Sequence, residues 1–244
     1  PLQAGDFFQK IGNGPDKDEQ DARKMMELLA NQYFGDGQYT ESTFVYKKLQ
    51  DLYENDPMTC EWQGKIVVNT LATDNIEVQW EETNNLGKYY TKFNTGDYKK
   101  AAKKKCKDNA LATMKQMATV WHDEAEKTKL GRTYELAENA YEVFLNTFPG
   151  DKDGYELQYY YAELLWALAT NDYNSKDKDT RQKGLNYFKK AHDQFVKTLE
   201  LDPEGKYTSD AAYAQMLAMK NYLEYDETGG KKKTCKLNQE GVCV

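Results

Sequence analysis

Apolar side chains recur three and four positions apart along most of this chain, a spacing that restricts it to amphipathic helices. Met25, Met26, Leu29 and Tyr33 form the first such stripe, which stops at Gly35-Asp36-Gly37, where glycine can take up left-handed geometry. Phe44, Tyr46, Leu49 and Tyr53 form the second, within 39–53, and Asp56-Pro57 ends it. Helices are expected next at 60–71 and 76–93, then at 101–127 and 134–148, the last closed by Pro149. A further pair spans 155–169 and, after a polar loop at 171–180, the stripe Leu185, Phe188, Ala191, Phe195 and Leu199 up to Pro203. A final helix is expected at 210–225. No segment alternates apolar and polar residues as a half-buried strand would, so the fold class is all-α.

Three stretches follow from this pattern. Residues 1–18 hold Gly5, Gly12, Gly14 and Pro15 among polar neighbours and read as an N-terminal arm. Residues 19–227 are the helical array, about four and a half hairpins. Residues 228–244, polar and rich in Gly and Lys, read as a tail. Each hairpin carries an oily stripe that it cannot cover alone, so stability requires stacking on a neighbour.

Charge narrows the partners. Lys and Arg number 33 against 40 Asp and Glu, a formal net charge of -7, so the surface repels a polyphosphate backbone and nucleic acid is not expected. The basic run Lys99, Lys100, Lys103, Lys104, Lys105 and Lys107 lies at helical spacing and reads as a solvated face. No apolar stretch approaches the ~20 residues that cross a bilayer.

Paired helices recurring at roughly 34 residues or a little more, with Pro closing the second of each pair, are the layout of tetratricopeptide repeats. The chain resembles that family where a small residue, an aromatic four positions on and a later Pro coincide. Ala137, Tyr141 and Pro149 supply the set, as do Ala191, Phe195 and Pro203, while Ser42, Tyr46 and Pro57 stand in the same places of the first hairpin. Trp121 falls on the family's Trp position, though Glu124 and Ala125 replace the Leu-Gly pair expected after it. The hairpin over 60–93 is degenerate. The resemblance implies a right-handed superhelical solenoid whose concave face, lined by the first helix of each pair, holds a peptide or a partner helix. The Tyr-rich composition (19 Tyr) and long second helices are similar to repeat proteins of bacterial envelopes, among them assembly lipoproteins and periplasmic scaffolds of secretion or gliding machines.

That geometry nominates partner-binding residues by register: Lys24, Glu27 and Asn31 in the first hairpin, His122 and Glu126 in the third. Tyr159 and Tyr160 lie off the Leu157/Tyr161/Leu165/Leu168 stripe. Exposed, they would bury area on a partner at small rotamer loss; the alternative is that both pack on the next hairpin. The expected function is a non-catalytic protein-interaction scaffold, with a groove-binding module for a peptide or small molecule, or a non-catalytic region of a larger enzyme, as alternatives.

The four cysteines bear on location. Cys60 and Cys106 fall near the starts of leading helices in adjacent hairpins, so stacking brings them to the same end of neighbouring rods, and they could be bridged if their Cα atoms lie within roughly 7 Å; Cys235 and Cys243 could close a small ring in the tail. Two bridges indicate an extracytoplasmic, periplasmic setting, and four unrelated thiols a cytoplasmic one. Lys103, Lys104, Lys105 and Lys107 would activate a free Cys106 thiol, but with only His122 and His192 in the chain nothing completes a nucleophile site. The cysteine spacing is not that of zinc ligands, and the acidic turns at 151–154 and 172–179 lack the offsets of a calcium loop. No catalytic residue, metal or cofactor is expected.

Overall fold

A computed structural model describes residues 19–224 apart from Asp74 and Asp153. The expected arm at 1–18 and the tail at 228–244, with Cys235 and Cys243, lie outside the described residues. Among the described residues there are nine helices and no strand. The first four are α1 (Glu19–Gly35), α2 (Tyr39–Leu52), α3 (Thr59–Thr70) and α4 (Ile76–Thr95). They are followed by α5 (Lys100–Thr128), α6 (Gly131–Thr147), α7 (Gly154–Tyr173), α8 (Lys178–Leu201) and α9 (Thr208–Tyr222). The chain divides into two compact units between Met117 and Ala118, inside α5.

Local chemistry sets the helix ends. Gly37 adopts φ +74°; its N–H bonds to the Phe34 carbonyl while Gln38 N–H reaches Tyr33 at 2.8 Å, which closes α1 with a Schellman turn. The Asn75 side chain accepts the Val78 N–H at the start of α4, and Asp177 accepts that of Thr180 at the start of α8. The polar loop is shorter than expected from the sequence. Helix α7 runs on to Tyr173, and Asp177 serves as the N-cap of α8.

In the first unit, α1 packs on α2, α2 on α3 and α3 on α4. Met26, Ala30, Val45, Tyr46, Leu49, Trp62 and Ile66 are fully covered between them. Gln50, Gln63 and Glu82 cross the same interior as a connected polar chain. Gln50 donates to Gln63 at 3.0 Å, Gln63 donates to Glu82 at 2.7 Å, and Lys47 closes on the other Glu82 oxygen at 2.5 Å. Burial alone would raise the Glu82 carboxyl, but the hydrogen bonds and charge of Lys47, with Gln63 and Asn85, together hold it below its ordinary value. The basic run pairs along its own helix and across to α3: Lys104 meets Asp108 at 2.7 Å and Lys105 meets Glu61 at 2.9 Å.

A disulfide joins α3 to α5, Cys60 to Cys106, with Cα atoms 5.5 Å apart and both residues buried. The bridge closes a 46-residue separation, for which chain entropy gives about 4 kcal/mol of stabilisation.

In the second unit, α6 packs on α7, α7 on α8 and α8 on α9. Both small–aromatic pairs expected in the sequence, Ala137/Tyr141 and Ala191/Phe195, are buried. Gly184 permits the closest helix approach: a Cβ there would sit 2.4 Å from the Tyr173 backbone N and 2.9 Å from the Ala169 carbonyl. The leading helices α1, α3, α5, α7 and α9 begin at Glu19, Thr59, Lys100, Gly154 and Thr208, so successive hairpins stand 40, 41, 54 and 54 residues apart. This exceeds the period of about 34 residues expected of the repeat family. Much of the excess is helix, since α5 has 29 residues and α8 has 24.

Two outcomes follow for stability. Replacing Cys60 and Cys106 together by Ala is expected to lower the unfolding free energy in urea by about 2–4 kcal/mol, read as a lower midpoint, with a steeper slope where the uncrosslinked chain unfolds to a more expanded state. Gly184→Ala gains up to about 1 kcal/mol of helix propensity but drives a methyl into backbone that has no rotamer to yield, which costs about 1–3 kcal/mol. A net loss is expected there and a small gain for Gly131→Ala, which has nothing within 4 Å.

Candidate functional site

Helix periodicity that points one stripe inward also aligns a second face outward. On α5, Thr119, His122, Asp123 and Glu126 share such a face; on α7, Tyr159, Glu163, Trp166 and Ala167 do the same. The two faces border a cavity of about 670 Å³ in the second unit, completed by Tyr160, by Tyr141 of α6, Phe195 of α8 and Ala214 of α9. His122, Glu126, Tyr159 and Tyr160, nominated by register alone, all lie on it.

Each aromatic is held by its neighbours. Tyr159, only 9% exposed, stacks on Tyr207 with centroids 4.4 Å apart and an interplanar angle of 8°. The exposed-pair expectation therefore gives way to its alternative for Tyr159, because Tyr207, just ahead of α9, covers the ring. Tyr160 is half-buried; its hydroxyl lies 2.9 Å from that of Tyr207, which donates to Glu156 at 3.0 Å. The hydrogen bond to Tyr207 and burial push the Tyr160 phenol well above its ordinary value, and burial does the same for Tyr159, helped by Glu163. Both stay protonated, so each can donate.

His122 is tightly placed. Its Nδ1 lies 2.8 Å from the Tyr141 hydroxyl, and its Nε2 edge faces Glu126 at 3.8 Å. If the phenol donates to Nδ1, the ring proton sits on Nε2, towards the carboxylate. Burial holds the imidazole below its ordinary value, with Lys129 adding to the effect and Glu126 and Asp123 opposing it. Glu163 is exposed as a residue, yet its carboxyl is raised, first by desolvation and then by the charges of Glu126 and Asp210, while a hydrogen bond with Tyr159 opposes the rise.

The remaining nominated residues belong to the first unit. Lys24 stays exposed beside Asp21 at 4.0 Å. Glu27 accepts from Trp62 Nε1 at 3.3 Å and from Arg23 at 3.5 Å, and Asn31 accepts the Tyr46 hydroxyl at 2.9 Å. Glu27 and Asn31 thus tie α1 to the helices behind it. Asp123, Glu163 and Trp166 escaped the sequence reading, although Asp123 stands three residues from Glu126, and Glu163 and Trp166 stand four and seven residues from Tyr159. Among the described residues no group of three or more His, Cys, Asp or Glu side chains is arranged to hold a metal ion, and no helix is long and apolar enough to cross a membrane.

The lowered His122 value has a definite pH consequence. The unfolded imidazole takes a proton near pH 6.5, and the folded one only at lower pH. The native state therefore binds fewer protons in that window, and its stability falls as pH drops from about 6.5 through the folded value. His122→Gln is expected to flatten the urea-midpoint slope between pH 7.5 and 5; an unchanged slope would contradict the burial argument. No protein-family model matches the chain, and neither does any curated protein.

Proposed function

We propose that this chain is a non-catalytic binding protein that holds a segment of another polypeptide in the α5–α7 cavity. Its helical pairs would form a right-handed tetratricopeptide-like solenoid, and its setting would be a periplasmic or other extracytoplasmic assembly such as a secretion or gliding machine. The observation that carries the binding reading is the origin of the cavity lining. Most of it comes from α5 and α7, the leading helices, which in a repeat of this kind face the groove. A volume near 670 Å³ falls within the ~300–1,000 Å³ of ligand sites, and the aromatic lining favours specific capture over passive scaffolding. The Cys60–Cys106 pairing supports an oxidising compartment. The longer hairpin spacing separates the chain from the family's consensus length while leaving its small, aromatic and Pro positions in place.

A photo-crosslinking residue at Ala167, on the cavity, is expected to trap a discrete partner polypeptide in cells, and one at Asp179, an exposed position on α8, is not. Equal labelling from both positions, or none from Ala167, would count against the cavity as the binding surface.

A further inference from the structure

The charges around the cavity are one-sided. Asp123, Glu126 and Glu163 border it, and Asp210 acts on Tyr159 and Glu163 through its field. None of the described lining residues is Lys or Arg; Lys129, whose charge reaches His122, is the cation recorded nearby. Tyr159, Tyr160 and Trp166 line the same cavity. Another hollow, of about 630 Å³ in the first unit, differs in having its charges matched within the protein, as in Lys47 with Glu82.

Three classes of occupant can be compared. An anionic group would enter against three carboxylates. An apolar group would strip water from those carboxylates and return no hydrogen bond. An ammonium or guanidinium satisfies both parts of the wall, since it donates to carboxylates and is attracted to aromatic faces.

Resting on the partner-binding reading above, we propose that the cavity recognises a lysine or arginine side chain of the partner polypeptide. The exposed carboxylate of Glu126 meets the cation at the rim, and Glu163, hydrogen-bonded to Tyr159, meets it beside the aromatic wall. A peptide source fits a hollow that is open to solvent and of side-chain size.

The test is calorimetric titration of the full chain with the blocked pentapeptide Ala-Lys-Ala-Arg-Ala, with Ala-Glu-Ala-Glu-Ala, and with spermidine. The basic peptide is expected to bind saturably, at least tenfold more tightly than the acidic one and more tightly than the free polyamine. Glu126→Gln with Glu163→Gln, which keep shape and acceptor oxygens, should weaken it about tenfold or more. Asp179→Asn with Glu204→Gln, exposed carboxylates outside the cavity, should leave it unchanged. Equal affinity for the acidic peptide, equal loss in both double variants, tighter binding of spermidine, or no heat at millimolar basic peptide overturns the proposal. If Ala167 still crosslinks a partner in that case, only the basic-side-chain assignment is lost; if it does not, the partner-binding reading falls as well.

Discussion

An oily helix stripe left bare in water is penalised at roughly 25 cal/mol per Å², and in each unit helices adjacent in sequence pack on one another to cover it. In the first unit α1 to α4 pack each on the following one, and in the second α6 to α9 do so. Local covering needs short connections, which accounts for the Gly37 turn, the Asn75 and Asp177 caps and the four residues between α7 and α8. It also needs small residues where rods approach, as Gly184 shows against the Tyr173 backbone.

Covering a Tyr-rich stripe raises a second demand, because a buried phenol left without a partner is destabilising. Carboxylates and a histidine on facing helices answer it. Tyr161 donates to Glu142 at 2.8 Å, Tyr187 donates to Glu138 at 3.2 Å with Lys190 on the other carboxylate oxygen, and Tyr141 meets His122. Gln50, Gln63, Glu82 and Lys47 play the same part in the first unit. Such networks fix register as well as energy, since sliding a helix by one residue would break every member at once. The α5–α7 cavity differs from these networks in its unbalanced charge: its aromatic wall is matched with carboxylates, and the cation that would complete the pattern is not among its lining residues.

The helices were legible in the sequence because their cause is local. Spacing of three and four, Gly37, Pro57, Pro149 and Pro203 mark starts and stops with no reference to distant residues, and the helices fall within a few residues of those marks. The hairpin spacing was not read correctly: about 34 residues was expected, although Ala137, Tyr141 and Pro149 precede Ala191, Phe195 and Pro203 by 54 positions, the interval between the starts of α5 and α7 and again of α7 and α9. Part of the cavity was legible for the same local reason as the helices: His122 and Glu126 follow from register on a single helix.

What residue spacing cannot report is which side chain from elsewhere lands on a given face. Tyr159 reads as an exposed aromatic until Tyr207, 48 positions later, stacks upon it. Glu163 reads as a surface carboxylate until Tyr159, Glu126 and Asp210 surround its charge. The sequence by itself determined the helices, their order, and which residues could not stay in water. Tertiary structure decided that Cys60, nominated in the sequence, does meet Cys106, that His122 is held by Tyr141, and that carboxylates and aromatic residues from α5 and α7 line one hollow. These depend on contacts between residues far apart in the chain, whose distances are set by how whole helices pack.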